Sequence, residues 1–182
     1  ATAPLSARRR LALAQLQQHL GHPEQAWTRL RELAEFAPTA LPLAASLLVQ
    51  VAADAGLTEP VRDLIEKHYA QQRSLDLVQA LVALDGQRSK AADAEAGVQG
   101  RARLVEHLQH EPSLVAAAQW LQDEALADEQ YHPAIQKALD HAAKPLTRYR
   151  CAACGFEARQ HFWHCPGCQS WDSYPARRVE EL

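Results

Sequence analysis

Apolar residues along the first four-fifths of the chain recur at helical spacing. Leu13, Leu16 and Leu20 form one stripe, which Gly21-His22-Pro23 interrupts, and Ala26, Leu30, Leu33 and Ala34 form the next, which stops before Pro38. Steps of three and four residues place such positions on one face of a helix, and glycine and proline end it. Two short helices joined by a tight turn cannot bury their own apolar faces, so such a hairpin has to stack on a neighbour. The layout returns 35 residues later, counted from Gly21 to Gly56: Val61 answers Ala26, Ile65 answers Leu30, and Thr58-Glu59-Pro60 supplies the helix start. A third pair is read from Leu75 to Leu84 and from Arg101 to His110, with its crossing at Gly100. The polar stretch between them, Asp85 to Gly97, is expected to be a turn. A fourth pair is read from Ser113 to Leu126 and from Pro133 to Ala143, with Trp120, Leu121, Ile135 and Leu139 facing inward and Pro145 closing it.

This period, with small or apolar residues at the helix crossings, resembles the tetratricopeptide repeat of about 34 residues. The first unit carries the resemblance best, through Ala14, Gly21, Ala26, Leu30 and Pro38. The expected fold is all-α, a tetratricopeptide-type helical-hairpin solenoid over residues 1–145. The concave face of such an array is usually a docking surface for peptides or proteins. In the first unit that face carries Arg8, Leu11, Gln15 and Gln18. Leu11, like Leu47 and Trp120, reads as core. Arg8, Gln15 and Gln18 are the candidate partner-binding residues, and a solvated helix face is their plainer explanation.

Residues 148–182 follow a different logic. Cys151 and Cys154, then ten residues, then Cys165 and Cys168 account for all four cysteines. Paired Cys-x-x-Cys turns aim four sulfurs at one ion, the donor set of a structural tetrahedral site. Gly155 and Gly167 are placed where a knuckle needs backbone free of Cβ, and Pro166 fixes φ at the start of the second turn. A segment this short buries little apolar surface, and a structural metal adds roughly 10 to 16 kcal/mol. The module is therefore expected to be unfolded without its ion. Disulfides would require an oxidising compartment. His161 and His164 are expected to be packing or surface histidines, since four thiolates fill the shell. Tyr149, Phe156, Phe162, Trp163, Trp171 and Tyr174 are expected to form the small core around the site, with Trp163 or Trp171 packed on the last helical pair. A nucleobase-stacking platform is the sharper alternative for these aromatics.

Composition narrows the function. The chain has 182 residues, is 47% hydrophobic and 23% charged, and carries a net charge of −3. The segment from Arg148 onward has five basic residues (Arg148, Arg150, Arg159, Arg177, Arg178) against four acidic ones (Glu157, Asp172, Glu180, Glu181), so no strong basic patch marks a nucleic-acid binder. No signal peptide and no apolar run of about 18 residues is evident, and a soluble piece is expected. Methionine is absent, which suggests part of a longer chain. No nucleophile elbow, phosphate-binding glycine loop or His-Glu-x-x-His is present, so a non-enzyme is expected. Helical carboxylates such as Glu24, Glu32, Asp63 and Glu66 lie beside basic residues, where ion pairing explains them.

A helical repeat running into Tyr149-Arg150-Cys151, Cys154-Gly155-Phe156, Trp163-His164-Cys165-Pro166, Cys168 and Trp171 resembles the C-terminal part of the lipopolysaccharide assembly protein B family of Gram-negative bacteria. The resemblance implies a cytoplasmic repeat array ending in a rubredoxin-like, zinc-ribbon β module and anchored to the inner membrane by an N-terminal helix missing from this sequence. It implies an adaptor that presents the deacetylase committing cells to lipid A synthesis to a membrane-anchored ATP-dependent protease. It carries the ligand role to Cys151, Cys154, Cys165 and Cys168, for one iron or zinc ion, since soft thiolates suit both. Gln169 departs from the glycine that usually follows the last cysteine of a rubredoxin. The alternatives are a repeat protein associated with N-acetylglucosaminyl transferase activity, which would need a nucleotide-sugar domain, a zinc-ribbon nucleic-acid binder, and a redox carrier.

Overall fold

The structure, a computed structural model, describes residues 6–89, 95–122 and 129–182. The described residues hold eight α-helices and one two-stranded sheet. The fold is all-α in helical hairpins, as the hydrophobic period predicts, with a small β module at the C-terminus, as the family resemblance implies. The chain divides into two compact units, 1–97 and 98–182.

The first unit contains α1 (Ala7–His19), α2 (Pro23–Phe36), α3 (Ala45–Ala55), α4 (Thr58–Gln71) and α5 (Leu75–Ser89). Pro23 occupies the first turn of α2, where its missing N–H costs nothing. The repeat is seen in the core: Ala26 and Val61, and Leu30 and Ile65, are all fully buried at corresponding places on α2 and α4. The turns that precede them pass through Gly21 and Gly56, at φ of 76° and 66°. A 3-10 stretch, Pro38–Ala44, leads into α3, and together they bury Leu41, Ala44, Ala45, Leu47, Leu48, Val51 and Ala52. The span Pro38–Ala55 is long and apolar enough, by length and composition, to cross a membrane. Sequence reading found no apolar run of this length because Thr39, Ser46, Gln50 and Asp54 punctuate it. Its packing against α2, α4 and α5 makes it the central helix of this unit.

Two expectations change here. The stripe of Leu13, Leu16 and Leu20 is not the buried face of α1: Leu11 and Ala14 are buried, while Leu16 is 53% and Leu20 62% exposed. Packing chiefly against α2, α1 has only a narrow seam covered. The stretch from Asp85 is not a turn at its start, because α5 continues to Ser89 and α6 already begins at Glu95; residues 90–94 lie outside the described residues. The reason is Asp85 itself, fully buried and paired with the buried Arg62 of α4. It continues the buried stripe of Leu75, Val78, Leu81 and Leu84, so a charge lies where an apolar residue would mark the helix.

The second unit contains most of α6 (Glu95–His110), then α7 (Leu114–Gln122), α8 (His132–Ala143) and the C-terminal module. Gly100, Leu104 and His107 are the buried face of α6. Ser113 caps α7, its Oγ accepting from the Ala116 amide at 2.9 Å. Residues 123–128, the expected end of the first helix of this pair, lie outside the described residues. The helices α7 and α8 meet through polar contacts that periodicity did not reveal. His132 Nε2 lies 2.9 Å from the Leu121 carbonyl, and Gln136 Nε2 donates to the Ala118 carbonyl at 3.1 Å. That places His132, Gln136 and Ala143 on the facing side. Ile135, expected inside, is 44% exposed, Leu139 and Trp120 are half-buried, and Leu121 is buried.

Candidate metal centre

Two hairpin turns carry the four cysteines. Cys151 and Cys154 lie between strands β1 (Tyr149–Arg150) and β2 (Glu157–Ala158), which pair antiparallel with Tyr149 opposite Ala158 and Arg150 opposite Glu157. Arg150 holds this short ladder from outside, its Nε and Nη2 donating to Glu157 Oε1 at 3.0 and 2.8 Å. The Arg150 guanidinium holds the Glu157 carboxyl below the usual carboxylate range. Cys165 and Cys168 lie between His164 and Trp171, which form an isolated antiparallel bridge.

The two turns have the same backbone wiring. The Gly155 amide donates to the Cys151 carbonyl and the Cys151 amide to the Phe156 carbonyl, each at 2.9 Å. The Gln169 amide donates to the Cys165 carbonyl and the Cys165 amide to the Ser170 carbonyl, again each at 2.9 Å. Each turn thus faces its own pair of sulfurs toward the other turn. All four Sγ atoms lie within 4.8 Å of one another. Cys151 Sγ is 3.8 Å from Cys168 Sγ, and Cys154 Sγ is 3.7 Å from Cys165 Sγ. A tetrahedral ion with metal–sulfur bonds of about 2.3 Å requires sulfur–sulfur separations of about 3.8 Å. The residues fit a four-thiolate ion.

Hydroxyl groups surround the sulfurs. Ser173 Oγ lies 3.2 Å from Cys151 Sγ, Ser170 Oγ 3.4 Å from Cys168 Sγ, and the Tyr174 hydroxyl 3.9 Å from Cys165 Sγ. Facing thiolates, these groups become donors that spread the charge of the site. The thiols titrate unequally. Ser173 draws Cys151 down to about 6, and Ser170 also lowers Cys168. Cys154 is pushed up to about 12: the Phe156 amide opposes the rise, but the neighbouring thiols of Cys168, Cys151 and Cys165, together with burial, outweigh it. Burial and the adjacent Cys165 push Tyr174 up to about 12, which keeps its hydroxyl proton for donation. Cys151 and Cys165 are buried, whereas Cys154 and Cys168 reach the surface.

The aromatic residues divide between core and surface. Tyr149 and Tyr174 are buried, Phe162 and Trp163 half-buried, and Phe156 and Trp171 exposed, Trp171 by 60%. The centre of the cluster is a residue that sequence reading assigned to packing or the surface. His161 meets Tyr149, Trp163 and Tyr174 edge-on, with ring centroids 5.6, 4.8 and 6.0 Å away, and its Nε2 lies 3.0 Å from the Tyr174 carbonyl. His164 instead lies against Trp171 at 4.6 Å on the surface. A module this small has too few positions to enclose six aromatic rings. Gly167 also serves differently from expectation: its φ is not positive, and an added Cβ would meet three atoms of Phe156 at 3.3 Å.

Residues 149–174 match the family model described as Rubredoxin metal binding domain. The C-terminal module is similar to that rubredoxin-type metal-binding domain. The chain is 47% identical over 36 residues to lipopolysaccharide assembly protein B of Escherichia coli strain K12, a match covering 19% of this chain and 9% of that protein. It is 33% identical over 39 residues to the protein of the same name from Haemophilus influenzae, covering 21% of this chain and 10% of the relative. The chain thus aligns with about a tenth of the length of these relatives.

The candidate partner residues lie on α1, in the other unit. Arg8 and Gln15 are exposed, and Gln18 is half-buried, with its amide donating to the Asp54 carboxylate of α3. The set therefore flanks the α1 seam on which Leu11 is buried. The Gln18 amide is engaged within the chain.

Proposed function

We propose that this chain is part of a non-enzymatic adaptor that regulates lipopolysaccharide biosynthesis. The observation that carries this reading is the C-terminal module, whose four sulfurs are grouped for one ion and whose sequence is 47% identical to that of a lipopolysaccharide assembly protein. The partners proposed are the deacetylase that commits cells to lipid A synthesis, a membrane-anchored ATP-dependent protease, and regulators of these, met on the cytoplasmic face of the inner membrane. The tetratricopeptide-like hairpins would supply the docking face, with Arg8 and Gln15 on its exposed side. The module would hold one iron or zinc ion in a structural role, because four thiolates fill a tetrahedral shell and leave no open position for a substrate.

The test is replacement in the source bacterium of the gene segment encoding this chain by one carrying Cys151→Ser and Cys165→Ser. Deacetylase abundance and lipopolysaccharide content should both rise two-fold or more. Unchanged values, with the protein present at normal levels, would remove the regulatory reading. Elemental analysis with an absorption spectrum should find one equivalent of zinc, or of iron with visible thiolate bands.

A further inference from the structure

The last residues of the chain return from the metal module to a helix of the same unit. Arg178 lies over the Tyr149 ring, 4.1 Å from its centroid, and its Nη1 donates to the Thr147 carbonyl at 2.7 Å. The Val179 amide donates to the Arg148 carbonyl at 2.7 Å and the Glu180 amide to the Leu146 carbonyl at 3.3 Å. Glu181 Oε2 accepts from the Arg178 amide at 2.7 Å, which closes a short 3-10 turn, Val179–Glu181. From this turn Glu180 Oε2 accepts the Val115 amide at 3.1 Å, across 65 residues of chain.

Val115 is the second residue of α7, and its amide is one that the helix cannot satisfy internally. Ser113 caps the next amide, that of Ala116. The N-terminus of α7 is therefore closed by one group from its own chain segment and one from the far terminus. A carboxylate also suits the positive end of the helix dipole.

Both ends of this strap depend on the metal turns. Upstream, Leu146 to Tyr149 runs directly into Cys151, and downstream the Ala152 amide donates to the Ser173 carbonyl at 2.7 Å beside Tyr174. An ion that draws the two cysteine turns together sets the places from which residues 146–149 and 175–181 meet. We propose that residues 178–181 are a metal-dependent latch: loading the four-cysteine site positions Glu180 on the N-terminus of α7, so that metal occupancy controls the order of the α7–α8 pair. The linkage runs through Glu180. The proposal rests on the metal-binding reading of the module and is independent of the adaptor role.

The test is hydrogen exchange on the 182-residue chain, with metal content measured in each sample. In the loaded protein, Glu180→Ala should speed exchange of the first-turn amides of α7 about tenfold, the scale of a lost charged cap, with one equivalent of metal retained. Glu180→Gln, which keeps an acceptor, should lie between. Chelation should produce the same acceleration in the unaltered protein and little more in Glu180→Ala. Ser113→Ala serves as the control, since its effect should add to that of chelation. Metal-bound protein whose α7 exchange responds to neither chelation nor Glu180→Ala would overturn the latch. Protein that binds no metal would overturn the metal reading and the latch together.

Discussion

Gly155 and Gln169 are backbone equivalents. Each follows the second cysteine of its pair, each has positive φ, 77° and 61°, and each donates its amide to the first cysteine's carbonyl at 2.9 Å. One position is filled by the residue that tolerates this geometry and the other by a residue that does not favour it. Gly155→Ala should therefore cost about 1 kcal/mol. Gln169→Gly should be neutral or stabilising by up to about 1 kcal/mol, since strain relief opposes added chain entropy. Thermal unfolding of the metal-loaded protein checks both, and a clear loss in Gln169→Gly would show that the side chain contributes more than its backbone strain costs.

Gly167 and Phe156 should behave as a coupled pair. A Cβ at Gly167 would press on the Phe156 ring, whose edge is exposed and can give way, so Gly167→Ala should cost roughly 1 kcal/mol. In the background of Phe156→Ala the same change should cost less, since the two ring contacts are gone and only the contact with the residue-156 Cβ at 3.3 Å remains. Additive losses in this double-mutant cycle would place the strain elsewhere.

Removing one member of the buried Arg62–Asp85 pair should be severe. Asp85→Ala leaves the guanidinium buried among the side chains of α4 and α5, at a cost of about 3 to 5 kcal/mol. Replacing both, as Arg62→Met with Asp85→Leu, should recover most of that loss. Urea titration of the three variants decides it. A double variant no better than the single one would mean that the pair specifies this packing rather than merely tolerating burial.

Burial at the centre of the aromatic cluster lowers the His161 pKa, opposed by its contact with the Tyr174 carbonyl. The folded module then binds fewer protons than the unfolded chain once pH falls below the ordinary histidine value of about 6.5. The His161 contribution is complete above that pH and is lost progressively as pH falls toward the lowered folded-state value. His161→Gln should flatten the dependence of the melting temperature on pH between about 5 and 7, read by fluorescence of the adjacent Trp163. An unchanged slope would assign the acid sensitivity to other groups, the metal thiolates first among them.

Much of this could be read from the chain alone, for a definable reason. The hairpins at Gly21 and Gly56, the buried Ala26 and Leu30 with their repeats Val61 and Ile65, and the four cysteines are all local patterns. They follow from the helical period or from the reach of a short turn. The readings that changed depend on a neighbour's position. Leu16 and Leu20 are as apolar as Leu11, and only the narrow seam against α2 leaves them outside. Asp85 resembles the start of a turn until Arg62 is found beside it. His161 and His164 differ by three places in the sequence, yet one is the hub of the cluster and the other lies on the surface.

The sequence by itself therefore determined the helical hairpins and the four-sulfur donor set, because periodicity and cysteine spacing act within a few residues. Only the tertiary structure decided which face of α1 is covered, which charges are buried, and that Glu180 closes a helix beginning 66 residues earlier, at Leu114. Those outcomes are set by long-range packing, where burial and hydrogen bonding depend on partners that no local pattern names.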